Sequence, residues 1–290
     1  MLLNGPQCTI KNIIGCFGIG LHSGKNVSIK FLPAEANTGI IFKRTDIISG
    51  KNIIKASYEL VSHTMLGTTI TNEYGVKVCT IEHLMAAIWG AGINNLIIEI
   101  DAEEVPIMDG SSESFMFMIE CAGINEQLQS KKIIEIIDTI SVQDGNSTMS
   151  VEPSDEFSVS MEIDFTNTII SNQKYKFNSS QLSFKVDLCR ARTFGFINDV
   201  EKLRQMGLAL GGSLDNAIVV DGDKVLNKEG LRYKDEFVRH KVLDSIGDLY
   251  LSGYYIKGQF KGLRAGHGIN NKILHNLFAN KDAWRFMVAA

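Results

Sequence analysis

Apolar and polar positions alternate along the chain in two different periods, and the order in which those periods occur repeats once. In GTTITNEYGVKVCTI, residues 67–81, β-branched residues flank a polar turn at Asn72 to Gly75, which predicts a hairpin. EHLMAAIWG (82–90) then predicts a helix, NNLIIEI (94–100) a strand, and SSESFMFMIECAG (111–123) a second helix opened by capping-type serines. Later, NAIVV (216–220) and KVLNK (224–228) flank the turn DGD at 221–223. A helix from about Lys234 to Leu251, a strand in GYYIKGQFKGL (253–263) and a last helix in INNKILHNLF (269–278) follow. Two β-β-α-β-α units in one chain predict an α+β fold of two similar two-layer sandwich domains, each a sheet with helices on one side. The junction is expected in CAGINEQLQSKK (121–132), where an apolar run turns polar, so the expected domains are residues 1–125 and 126–290.

The repeat has a chemical consequence. Glu82 and His83 open the first helix of unit one, and the corresponding helix of unit two contains FVRHKVLDSIGDLYL (237–251). His240, Asp244 and Asp248 are four residues apart there, so a helix puts them on one face beside its apolar stripe. If the two helices pack against each other, the polar groups converge between the domains. His83, His240 and Asp244 would leave open positions on a zinc ion, as a hydrolytic site requires, with Glu82 beside them as a non-ligand base. Two histidines and one carboxylate are also the facial triad of non-haem iron oxygenases, so Fe2+ fits the same set. A bare HxxxD pair is by itself a weak signal, more often a surface or core pair satisfied locally, and the ordinary reading of Asp248 is a solvated carboxylate near a helix end.

Other motifs carry less. GIGLHSGK (18–25) has neither Walker A spacing nor the dinucleotide GxGxxG, which counts against a non-catalytic nucleotide-binding module; a tight turn with a buried or hydrogen-bonded His22 is expected. His267 lies between glycines where a strand hands over to the last helix, as a turn residue or a placed side chain. Thr193 in RARTFGF is a strand end or a hydroxyl donor, and MDGSSES (108–114) a turn with a serine cap. Residues 194–210 have near-helical apolar spacing that neither unit needs, so about 194–214 is expected as an insert, either a satellite core helix or a face for a greasy ligand.

Composition narrows the class. The 44% hydrophobic and 21% charged content is that of a globular protein, and a net charge of −4 offers no surplus for nucleic acid. Five cysteines without a CxxC pair fit a reducing compartment. The first residues lack a signal-peptide pattern and no apolar run approaches the ~18 residues of a membrane span. A cytoplasmic monomer with no membrane span is expected.

GIGLHSGK, TIEHLMAA, PIMDGSS, RARTFGF, GGSLDNAIV, RHKVLDSIGDL and GHGINNK occur in that order over about residues 18 to 275. As an ordered set they resemble the UDP-3-O-acyl-N-acetylglucosamine deacetylases, zinc amidases of lipid A synthesis in Gram-negative bacteria. The resemblance implies zinc on His83, His240 and Asp244, Glu82 as the base activating water, and Thr193 stabilising the oxyanion together with the metal. It implies that Asp248 holds His267 protonated as the acid for the departing nitrogen. Lys241 and Arg264, beside GHGINNK, would meet the nucleotide diphosphate of the acylated UDP-N-acetylglucosamine substrate. Phe194 and Leu203 would line an acyl-chain passage. Gly67 stands where many members carry a Cys, so an extra metal site using that thiol is not expected. The dehydratase domain fused to some relatives is not expected in these 290 residues.

Overall fold

The computed structural model describes residues 3–289 apart from 49, 167 and 180–182. Its first half is built on strand Asn26–Pro33, where Val27, Ile29 and Phe31 turn inward while Asn26, Ser28 and Lys30 face water. This period-2 alternation belongs to a sheet covered on one face. The five-stranded order is Ile14–Ile19, Asn26–Pro33, Leu96–Ile100, Ile40–Arg44, Ile53–Lys55, and only the Leu96–Ile100 and Ile40–Arg44 pair is parallel. The predicted hairpin forms between Thr69–Thr71 and Lys77–Val78, with the Gly75 N–H donating to the Asn72 carbonyl at 3.0 Å and Gly75 at φ 77°. The two expected helices are α1 (Glu82–Gly90) and α2 (Glu113–Ala122). Of the serines before α2, Ser111 Oγ accepts the Glu113 N–H at 3.1 Å, while Ser112 Oγ donates to the His83 carbonyl at 2.7 Å. One serine caps, and the other ties α2 to α1.

The stretch 121–132 is ordered backbone: Ile124–Ser130 pairs antiparallel with Pro6–Ile10 as a separate two-stranded sheet. The second half centres on Tyr255–Leu263. Its first residues pair in parallel with Lys132–Ile136, and the rest lies between Ser147–Glu152, antiparallel, and Phe157–Phe165, parallel. The insert differs from its helical spacing at the start. Phe194–Phe196 is a strand parallel to Ile218–Asp221, and helix α3 spans only Ile197–Gln205. Alternation puts Phe194 and Phe196 on one face, where both meet the Phe165 ring. Pairing with Ile218–Asp221 and this aromatic contact outweigh the helical pattern. Helix α4 (Glu236–Leu249) follows, and α5 (His267–Ala279) begins at His267, two residues before the predicted start.

The fold is α+β, with α1, α2, α4 and α5 packed on one another and on the sheets. Helix α1 packs on α2 and α4, and α4 packs on Phe157–Phe165, Ser171–Asn178 and α5. Every residue of α1 from Glu82 to Trp89 is buried, as befits a helix with neighbours on all sides. Trp89 reaches into the second half against Phe157, Phe177, Phe184 and Tyr255, and the Tyr255 hydroxyl donates to the Trp89 carbonyl at 3.0 Å. Both halves thus share one apolar core. No helix among the described residues is long and apolar enough to cross a membrane.

Helices α1 and α4 touch backbone to backbone at Gly247. A Cβ there would stand 2.0 Å from the Glu82 carbonyl oxygen and 3.1 Å from the Ala86 nitrogen. Gly247→Ala must therefore push the helices apart. A loss of about 1–3 kcal/mol in unfolding free energy is expected from overpacking of this kind, read as a lower midpoint in urea; an unchanged midpoint would contradict the close crossing.

Candidate metal centre

His83 comes from the first turn of α1, and His240 and Asp244 lie one turn apart on α4. The α1–α4 crossing brings them together. His83 Nε2 is 3.4 Å and His240 Nε2 3.3 Å from Asp244 Oδ1, and the two imidazoles meet edge to face with centroids 4.8 Å apart. One donor atom from each residue lies within 4.8 Å of the others. Nδ1 of His240 is 3.0 Å from the Ala191 carbonyl, an acceptor, so Nδ1 carries the proton and the Nε2 lone pair faces the cluster. Asp244 Oδ2 accepts from Lys241 Nζ at 2.6 Å, but Oδ1 is buried and accepts no hydrogen bond among the described residues. A buried carboxylate oxygen left in this way is costly unless a cation completes it. Two imidazole nitrogens and one carboxylate suit a divalent first-row metal such as zinc.

The charges around this point follow from burial and pairing. Burial pushes the His240 pKa down to about 3 against the pull of Asp244, which keeps the ring neutral as a metal ligand must be. Burial alone would raise Asp244, but His240, Lys241 and His83 hold it well below the usual carboxylate range. Burial raises Glu82, partly opposed by His267 and His83. Burial would lower His267, yet Asp248 and Glu82 outweigh it and carry this imidazole to about 9. A carboxyl raised by burial and a protonated imidazolium thus face each other, with Glu82 Oε1 3.9 Å from His267 Nε2.

Asp248 is no solvated carboxylate. It is buried, and its Oδ2 accepts from His267 Nδ1 at 2.8 Å and Asn270 Nδ2 at 2.8 Å, its Oδ1 from the Thr68 hydroxyl at 2.6 Å. Thr68 also donates its backbone N–H to Glu82 Oε2 at 2.9 Å. Sequence reasoning missed Thr68 and Asn270, because a Thr in a hairpin and an Asn in a helix have many ordinary uses. It also missed Arg192. This buried guanidinium donates to Glu236 Oε1 at 2.9 Å, to Glu229 and to the Gly230 carbonyl, and so fixes residues 191–193 against the start of α4.

A cavity of about 900 Å³ opens beside the cluster and is lined by Glu82, His83, His240, Lys241, Asp244, His267 and Thr193. Phe194, Leu203, Val200, Leu214 and Leu226 line it too. No residue of α3 is buried, so α3 is not a satellite core helix; it holds Val200 and Leu203 toward the cavity. Arg264 also lines the cavity, where its guanidinium pairs with Asp164. His22 is hydrogen-bonded as expected, Nε2 standing 3.1 Å from the Leu66 carbonyl. Gly67 lies against Glu82, since a Cβ there would be 3.1 Å from Glu82 Oε1.

A profile of UDP-3-O-acyl N-acetylglycosamine deacetylases, the LpxC family, matches residues 7–279. The chain is 51% identical over 283 residues to a protein of Acidithiobacillus ferrooxidans named UDP-3-O-acyl-N-acetylglucosamine deacetylase, covering 97% of this chain and 92% of that one. Proteins of the same name from Hahella chejuensis (50% over 280 residues, 96% and 92% covered) and Haemophilus influenzae (47% over 283 residues, 97% and 92%) are also similar.

His267 gives a direct electrostatic test. Its raised value adds stability that is complete below the ordinary value of about 6.5 and is lost as pH climbs through about 9. In the metal-free protein, NMR of the imidazole should follow a titration near 9. Asp248→Asn removes the charge that favours the proton and should lower it by at least about one unit. An unmoved titration would mean that Asp248 does not hold the proton.

Proposed function

The chain belongs to the family of UDP-3-O-acyl-N-acetylglucosamine deacetylases, and we propose how its own residues carry out that hydrolysis. The enzyme removes the N-acetyl group of UDP-3-O-acyl-N-acetylglucosamine in lipid A biosynthesis, releasing acetate and the free amine. Family membership sets aside the oxygenase and the non-catalytic module. The observation that carries the residue assignment is Asp244 Oδ1, buried without a hydrogen bond between two imidazole nitrogens.

His83, His240 and Asp244 hold the metal, zinc in this reading, with Fe2+ compatible with the same donors. When bound there, zinc supplies a Lewis acid for the acetyl carbonyl and a water of lowered pKa. Glu82 takes the proton from the attacking water; its raised pKa, from burial, brings it nearer to the working pH of a general base. Thr193 donates its hydroxyl to the oxyanion as charge develops. His267, held protonated by Asp248, gives its proton to the departing nitrogen, since an amide anion is too poor a leaving group to go unassisted. Lys241 spends one donor on Asp244 and keeps the others for the diphosphate, which Arg264 meets from the position where it pairs with Asp164. Phe194 and Leu203 line the passage for the acyl chain. Residues 1–125 and 126–290 form the two units, and the working form is a cytoplasmic monomer.

Replacing His83, His240 or Asp244 by Ala should lower bound zinc and acetate release together, as measured by elemental analysis and turnover; full metal content in all three would sink the ligand set. Glu82→Gln keeps the shape of the side chain without its basicity. It should retain zinc and lose kcat by about 10²-fold or more, whereas loss of metal would make Glu82 a ligand.

The passage is tested with two substrates. Each buried CH₂ is worth roughly 0.8 kcal/mol before the cost of ordering the chain, so a substrate lacking the acyl group should turn over far more slowly. Leu203→Glu should penalise the acylated substrate much more than the truncated one. Equal losses for both would remove α3 from the acyl path.

A further inference from the structure

Thr68 touches Glu82 and the carboxylate that holds His267 at once. Its backbone N–H donates to Glu82 Oε2 at 2.9 Å, and its hydroxyl donates to Asp248 Oδ1 at 2.6 Å, across 180 positions of sequence. The carboxylate of Asp248 therefore bridges Thr68 on one oxygen and His267, with Asn270, on the other. The Thr68 carbonyl in turn accepts the N–H of Ile81, the residue before Glu82, at 3.3 Å. Gly67 completes the arrangement, because a side chain there would crowd Glu82 Oε1. Thr68 is only 2% exposed, so water does not compete for these bonds.

We propose that Thr68 is a positioning residue that holds Glu82 and the Asp248–His267 pair at a fixed separation, and whose hydroxyl sets how tightly His267 keeps its proton. The inference rests on the roles assigned above to Glu82 and His267. A hydroxyl donated to a carboxylate stabilises the charged form. Without it, the Asp248 carboxylate keeps its charge for Asn270 and His267, grips the imidazolium proton more firmly and makes His267 a weaker acid. The other charged groups facing His267 are Glu82 on α1 and Lys241 and Asp244 on α4, and the Thr68 hydroxyl bonds none of them.

Thr68→Val removes the hydroxyl at constant shape and leaves the backbone N–H on Glu82. The experiment compares Thr68→Val, Thr68→Ser, Asp248→Asn and the Thr68→Val/Asp248→Asn double variant as zinc-loaded full chains, by kcat, KM, metal content, melting and pH profile. A hydrogen bond to a charged group lost in part from the transition state should lower kcat by about 10-fold. KM and metal content stay unchanged, the basic limb of kcat/KM moves to higher pH, and Thr68→Ser restores both. Asp248→Asn moves the same limb the opposite way, and adding Thr68→Val to it should lower kcat no further. Additive losses in the double variant, lost zinc, or a lower melting point with kcat and the limb unmoved would overturn the role of Thr68. A limb unmoved in Asp248→Asn would instead overturn the acid role of His267 on which the proposal stands.

Discussion

Glycine at 247 lets α4 lie against the first turn of α1 closer than any side chain would permit. A methyl group there would collide with the carbonyl of Glu82, the residue beside His83. The helix pair is also the middle of the shared core, so displacing it would disturb Trp89 and the aromatic rings around it as well as the site. Rigidity of the metal site and continuity of the core are two results of one backbone contact. This placement also puts the proposed ligands on helices and not on loops. Their positions are fixed to within the small tolerance that coordination demands.

The crossing concentrates charge where water is scarce. Glu82, Asp244 and Asp248 are buried together with His83, His240 and His267. Isolated buried carboxylates would be strongly destabilising, and each here is accounted for in a different way. Among the described residues, Asp248 has three donors, Asp244 has Lys241 on one oxygen and an open lone pair on the other, and Glu82 has a single backbone N–H from Thr68. The least satisfied groups are those assigned to the metal and to proton transfer, and the most satisfied one only supports a neighbour. That gradient separates function from scaffolding better than burial does, because all three carboxylates are almost equally buried.

An apolar passage beside a charged centre needs walls that do not collapse onto each other. Phe194 and Phe196 are held by strand pairing and by Phe165, and α3 projects Val200 and Leu203 without burying any residue of its own. An amphipathic helix with its apolar face open is unfavourable in water unless a ligand covers it in use. On the proposed acyl path, the insert keeps its cost in the free enzyme and recovers it when a chain is bound.

Much of this was legible in the sequence. Periodicity alone located α1 and the Asn72–Gly75 hairpin, and i, i+4 spacing put His240, Asp244 and Asp248 on one helix face, because these are local consequences of backbone geometry. The ordered motifs fixed the family for the same reason that single motifs could not: each is short, and only their collinearity is specific. Periodicity failed at Phe194–Phe196, where the partner strand, Ile218–Asp221, lies beyond α3 in sequence and overrides local preference. Nothing local could reveal that Ser112 bonds to the His83 carbonyl, that Ala191 fixes the His240 tautomer, or that Thr68 reaches Asp248. Those contacts join residues 29 to 180 positions apart, and each depends on how two helices and a hairpin settle against one another. The sequence by itself determined which side chains were available and on which faces they stood. The tertiary structure decided which of them share a proton, since hydrogen bonds require approach within about 3 Å and only packing sets distances that short across the chain.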